Sequence, residues 1–157
     1  MVAACSRLAP PSTSPLSNTF DSEASLAQAV LDRLAAKDHA GLRALALTEA
    51  EFRDHVWPEL PTSRPERNMP LDYVWGQLKQ RSDESLASTI GRFGGRRLTV
   101  KRASFSGETT TYPSFLVHRG SELIVADEAG TELTVRLYGS AMVKDGRYKL
   151  FSFVVAD

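Results

Sequence analysis

The chain has 157 residues, enough for one domain with a substantial core. Its 19 basic and 19 acidic side chains cancel, so it lacks the field that draws a protein onto nucleic acid or an anionic membrane, and those partners are set aside. No apolar run approaches the roughly 20 residues that span a bilayer, and a single cysteine excludes an intrachain disulfide.

That cysteine closes Val2-Ala3-Ala4-Cys5, which resembles the lipobox of bacterial lipoproteins, where small residues precede a cysteine that becomes lipid-modified. Residues 6–20 follow with Pro10, Pro11 and Pro15 among Ser, Thr and Asn. Such a stretch buries too little apolar surface to fold, and residues 1–20 read as a disordered tether. The resemblance implies lipid attachment at Cys5 and a place at the bacterial cell envelope or periplasm. It also implies an upstream reading frame encoding about 15 apolar-rich residues, since neither a basic n-region nor an apolar h-region precedes Cys5. The alternative is a free thiol in the tail of a cytoplasmic protein.

A single α+β domain is expected over 21–157. Ser25 can cap a helix in which Leu26, Val30 and Leu34 share one stripe. Asp38 can cap a short second helix carrying Leu42 and Leu45. Thr48 and Glu51 have capping-box spacing, and Phe52 and Val56 then lie one turn apart before Pro58 ends that helix.

Residues 57–70 contain Pro58, Pro61, Pro65 and Pro70 and predict an irregular stretch, either a lid over a pocket or a stiff crossover. Pro70 suits the start of a helix. Leu71, Val74, Trp75 and Leu78 follow at i, i+3, i+4 and i+7, and Leu86, Ile90 and Phe93 extend the pattern to Gly94-Gly95. Between them, Gln80 to Ser85 is an exposed segment or a break at Ser82.

From Arg96 the apolar period changes to two. Strands are predicted at Leu98–Lys101, Ser114–His118, Glu122–Ala126, Leu133–Tyr138, Ala141–Lys144 and Tyr148–Val155, with Asp145-Gly146 a strong two-residue hairpin signal. Short turns make these neighbours antiparallel. The last strand is apolar on both faces, so it is either central and covered twice or meets another chain. A sheet-to-sheet homodimer is the expectation.

Helices followed by an antiparallel meander resemble the nuclear-transport-factor-2-like (SnoaL-like) fold of the cystatin-like group. The resemblance implies N-terminal helices packed on a curved, cone-like antiparallel sheet with a pocket at its open end. Members of that family include isomerases, dehydratases, cyclases and non-enzymatic binding domains, so fold does not choose the function.

Enzymes of the family place an acid or a histidine at the pocket with a tyrosine or second acid beside it. The candidates are Asp72 on the long helix, Tyr112, and His118 near a strand end. Each also has an ordinary structural role open to it, such as a carboxylate at a helix start. Three scattered histidines and one cysteine give no metal-ligand spacing, and nothing calls for a cofactor. Arg92, Arg96, Arg97, Lys101 and Arg102 form a local basic cluster, read as a solvated edge or as a site for phosphate or an acidic partner.

Two functions remain. The first is a non-catalytic domain binding a small apolar ligand or a partner protein, with Trp57, Tyr73 and Trp75 near the pocket mouth. The second is a small isomerase or dehydratase using Asp72, Tyr73, Tyr112 and His118. The first is preferred because no acid-base constellation assembles.

Overall fold

Each early helix starts where the sequence supplies a cap. In the computed structural model, which describes residues 15–155, Ser22 rather than Ser25 caps α1 (Glu23–Ala35), accepting the Ser25 N–H. Asp38 caps α2 (His39–Leu45) through the Gly41 N–H. Thr48 and Glu51 complete the capping box of α3 (Glu49–Glu51), which widens into a π turn over Phe52–Val56. A cap of this kind contributes about 1 kcal/mol. Residues 57–70 then form short 3-10 turns, each with a proline in its first turn.

Pro70 precedes α4 (Leu71–Phe93). This helix is unbroken at Ser82. The polar stretch that suggested a break is where α4 changes the face it buries. Before it, Leu71, Val74, Trp75 and Leu78 pack on one cluster; after it, Leu86, Ile90 and Phe93 pack on another. Ser82 is itself buried, and its hydroxyl accepts the Phe153 N–H at 3.0 Å.

The strands are β1 (Thr99–Phe105), β2 (Thr109–Thr111), β3 (Leu116–Arg119), β4 (Ser121–Ala126), β5 (Glu132–Val135), β6 (Ser140–Lys144) and β7 (Arg147–Ser152). They make two antiparallel sheets, ordered β1-β4-β5 and β2-β3-β6-β7. The two are joined through the chain itself. Phe105 pairs with Ser121, Thr109 pairs with His118, and only Gly120 separates β3 from β4. Together they form one long hairpin bent where Gly107 meets Gly120. Gly120 has φ +71, and a Cβ there would fall 2.6 Å from the Gly107 nitrogen, so the bend requires glycine. The result is the α+β fold with a curved antiparallel sheet that the element order predicts. Asp145 and Gly146 both take positive φ, the geometry of a tight I′ hairpin.

Two apolar clusters lie on opposite faces of the four-stranded sheet. Ala141 and Leu150 face α1 with Leu26, Val30 and Leu34, whereas Val117 and Met142 face Phe52 and Val56. Each fully buried leucine contributes roughly 2 kcal/mol to this core. β7 is thus covered twice, Leu150 on one face and Phe151 on the other. Its apolar residues pack on both faces within one chain, with Phe151 remaining half-buried.

The outer edge of β7 is also closed. Phe20 and Tyr148 exchange backbone hydrogen bonds of 2.9 and 2.8 Å, and Ala46 bridges to Leu150. Ordered structure therefore begins before the expected boundary at Asp21, as a strap along β7. Cys5 lies outside the described residues.

Candidate functional site

The middle of α4 has an open cleft on one flank. It encloses about 350 Å³, at the small end of the range for ligand pockets. Ala46 and Leu47, between α2 and α3, form one wall; Trp75 and Leu78 of α4 form another; Phe151 and Phe153 close the floor. The rim is charged and internally balanced. Asp83 lies 2.6 Å from Lys79 and 3.8 Å from Arg43, tying α4 to α2 across the opening, and Glu49 and Thr48 complete it. An apolar interior under a polar rim holds the body of a small molecule and leaves its polar end at the surface.

The residues expected at a pocket mouth are only partly brought together. Trp75 lines the cleft. Trp57 packs against Phe52 at 6.2 Å between ring centroids, and Phe52 against Trp75 at 5.2 Å, so Trp57 belongs to the core behind the cleft. Tyr73 points away, with 57% of its surface exposed.

The acid-base candidates do not converge. Asp72 is exposed in the first turn of α4. Tyr112 stacks on Phe115 at the tip of the β2-β3 hairpin. His118 shares a 2.7 Å hydrogen bond with Thr109 Oγ1, and its ring stacks on Phe105. Tyr112 packs on the cluster that contains Val117, whereas His118, the next residue along β3, faces the other side of the sheet.

The ionisable groups that the fold does perturb lie elsewhere. Glu51 Oε2 sits 3.3 Å from Lys149 Nζ, both side chains buried. Burial alone would raise the Glu51 carboxyl. The Ser17 and Thr48 N–H groups, the Lys149 charge and the Ser17 hydroxyl together hold it below the usual carboxylate range. Burial lowers the Lys149 ammonium, with Glu51 opposing.

The second perturbed group is Glu23, at the start of α1, whose carboxyl burial pushes up to about 7. Its Oε1, the Ser121 hydroxyl and the Tyr138 hydroxyl are all buried, and among the described residues none of them has a hydrogen bond of ordinary geometry. Burial raises the Tyr138 phenol, Ser121 counteracts this, and the Glu23 charge adds to it. An acid titrating near neutrality beside a tyrosine is the pair a proton-transfer enzyme needs. Tyr138 is fully buried, however, and neither residue lines the cleft beside α4. Sequence reasoning missed both. Glu23 reads as an ordinary first-turn acid, and Tyr138 alternates onto the polar side of its predicted strand.

Among the described residues no group of three or more His, Cys, Asp or Glu side chains is placed to hold a metal, and no helix is long and apolar enough to cross a membrane. In comparisons with known proteins, no family model, curated protein or solved structure matches the chain.

Proposed function

We propose that this is a non-catalytic binding domain that takes a small, largely apolar ligand into the cleft between α2–α3 and α4. The observation that carries this reading is the cleft's lining, which is aromatic and aliphatic inside, charge-balanced at the rim and, among the described residues, free of histidine and tyrosine. Of its carboxylates, Asp83 is held by Lys79 and Arg43, and Glu49 is exposed on a helix start.

The bent antiparallel sheet behind helices supports placing the domain in the nuclear-transport-factor-2-like group, whose members include binding domains without enzymatic activity. Lipid attachment at Cys5 and a cell-envelope location remain part of the proposal. They rest on the lipobox-like residues and the Pro-rich stretch after them.

The test is titration with 1-anilinonaphthalene-8-sulfonate, an apolar body with one charged end, followed by its fluorescence and by Trp75 quenching. The expected result is saturable one-site binding that is displaced by small apolar competitors. An Ala46→Phe variant that folds normally and binds the dye with unchanged affinity would overturn the assignment of the cleft.

A further inference from the structure

The opposite flank of α4 carries a different chemistry. Two clefts lie in line there, of about 470 and 490 Å³. Arg81 from α4 and Arg119 from β3 line the first; Arg92 from α4 and Arg136 beyond β5 line the second. Among the described residues, the lining of the two clefts contains four arginines and no aspartate or glutamate, in a chain whose charges cancel overall.

The arrangement follows from helix geometry. Gln77, Arg81, Ser85, Ser88 and Arg92 recur at spacings of three and four and form one stripe. Arg81, Ser85, Ser88 and Arg92 each stand one residue before the buried positions Ser82, Leu86, Thr89 and Phe93, so this stripe runs beside the helix–sheet contact. Arg81 and Ser85 are one turn apart, and Val154 and Val155 are consecutive, which sets the two clefts end to end.

The arginines are only lightly engaged, the Arg92 guanidinium lying 5.3 Å from the Phe93 ring centroid. Among the described residues Arg81 and Arg92 make no ion pair. Arg119 donates to the Thr110 hydroxyl. Arg136 reaches Glu122 only at 3.4 Å and at the surface, a pairing too weak to occupy it. A guanidinium fork recognises carboxylates in two-point fashion.

We infer that this flank of α4 is a docking groove for an extended acidic peptide of a partner protein. Eleven helical residues separate Arg81 from Arg92, roughly 16 Å, and an extended chain covers that distance in about five residues. Side chains alternate along an extended chain, so the shortest same-face spacing that spans this distance is six positions, and the occupant carries carboxylates six apart, one for each arginine pair. Between them, the Ser85, Ser88 and Thr134 hydroxyls can bond its backbone, and Val154 and Val155 meet its apolar side chains. A nucleic acid fits less well. The groove's rings, Phe93 and Phe151, are buried or half-buried in the core and offer no stacking platform.

The probe is a fluorescein-labelled seven-residue peptide with glutamates at its first and seventh positions and serine and valine between them. Its anisotropy is measured against the whole chain. The expected result is binding that weakens as salt rises. It should fall at least about tenfold in Arg81→Glu and in Arg92→Glu. It should be lost when both glutamates become glutamine. Both arginines are exposed, so the variants should keep the parent's circular dichroism, and Ala46→Phe on the other flank should leave the affinity unchanged. Equal binding of the glutamine peptide, unchanged affinity in both reversals, or tighter binding of a single-stranded oligonucleotide to the same arginines would overturn the inference.

Discussion

Lys149 reaches Glu51 across 3.3 Å with neither side chain exposed to solvent, and Lys149 Nζ also donates to the Ser17 carbonyl at 2.6 Å. The pair joins three parts of the chain: the N-terminal strap, α3 and β7. Glu51 also accepts from the Ser17 N–H and hydroxyl and the Thr48 N–H, so its lone pairs are well used. Removing one member of such a pair leaves a buried charge and costs about 3–5 kcal/mol. Lys149→Met should sit at the lower end, about 3 kcal/mol, because Glu51 keeps its other donors. The double variant Lys149→Met with Glu51→Gln should recover part of that loss by removing the buried charge, the amide oxygen still accepting from Ser17 in the place of Oε1. Urea denaturation midpoints decide it, and an unchanged midpoint for Lys149→Met alone would sink the idea.

The sequence discloses this fold where local chemistry acts alone. Asp38, the Thr48–Glu51 box and Asp145-Gly146 each set their own backbone and appear as expected. It misleads where a distant partner decides. Ser82 looks like a breaker until Phe153 donates to it. β2 is a run of threonines with no apolar alternation, made a strand by pairing with Leu116 to His118. Lys149 sits on an apolar face because Glu51, far away in sequence, waits there. The cleft follows the same logic. Trp75 is legible as part of an apolar stripe, but the wall made by Ala46, Leu47 and Phe153 exists only once β7 is placed. The four-arginine flank is half legible, since the helical spacing of Arg81 and Arg92 is in the sequence and the facing Arg119 and Arg136 are not.

Glycine positions give a paired test of the packing. A Cβ on Gly139 would fall 1.5 Å from the Val154 carbonyl oxygen, a backbone atom that cannot move aside. At Gly76 and Gly91, both within α4, a Cβ meets nothing within 4 Å. Gly76→Ala and Gly91→Ala should therefore each stabilise the domain by about 0.5–1 kcal/mol, the helix-interior cost of glycine. Gly139→Ala should lose about 3 kcal/mol through strain in the segment after β7 that it displaces. Thermal melts of the three variants give opposite signs if the close approach of Gly139 to Val154 is right, and a melt for Gly139→Ala equal to the parent's would refute it.

The cleft makes its own demand. Asp83 holds Lys79 and Arg43 at the rim, and these are solvated pairs worth only a few tenths of a kcal/mol each. Asp83→Asn should leave the melting temperature within about 1 °C. It should also turn the rim net positive, tightening 1-anilinonaphthalene-8-sulfonate through its sulfonate and weakening a cationic dye of similar size. A dye affinity that ignores the charge at position 83 would place the ligand elsewhere.

Glu23 and Glu51 should shape the pH profile in opposite directions. The Glu51 carboxyl is held low, so its contribution is present above the ordinary carboxylate range and is lost as pH falls through its lowered value. The Glu23 carboxyl is raised from 4.5 to about 7. Its contribution is fully present below about pH 4.5 and is lost as pH rises through 7, where folding must place a charged carboxylate against Tyr138 and Ser121. Glu23 is partly exposed, and solvent screening reduces the effect to about 1–2 kcal/mol. The parent should therefore be less stable at pH 8 than at pH 5.5. Glu23→Gln should flatten that decline, matching the parent at pH 5.5 and exceeding it at pH 8. Urea midpoints at the two pH values measure this. A parent and variant that decline in parallel would show that Glu23 is not the group that titrates.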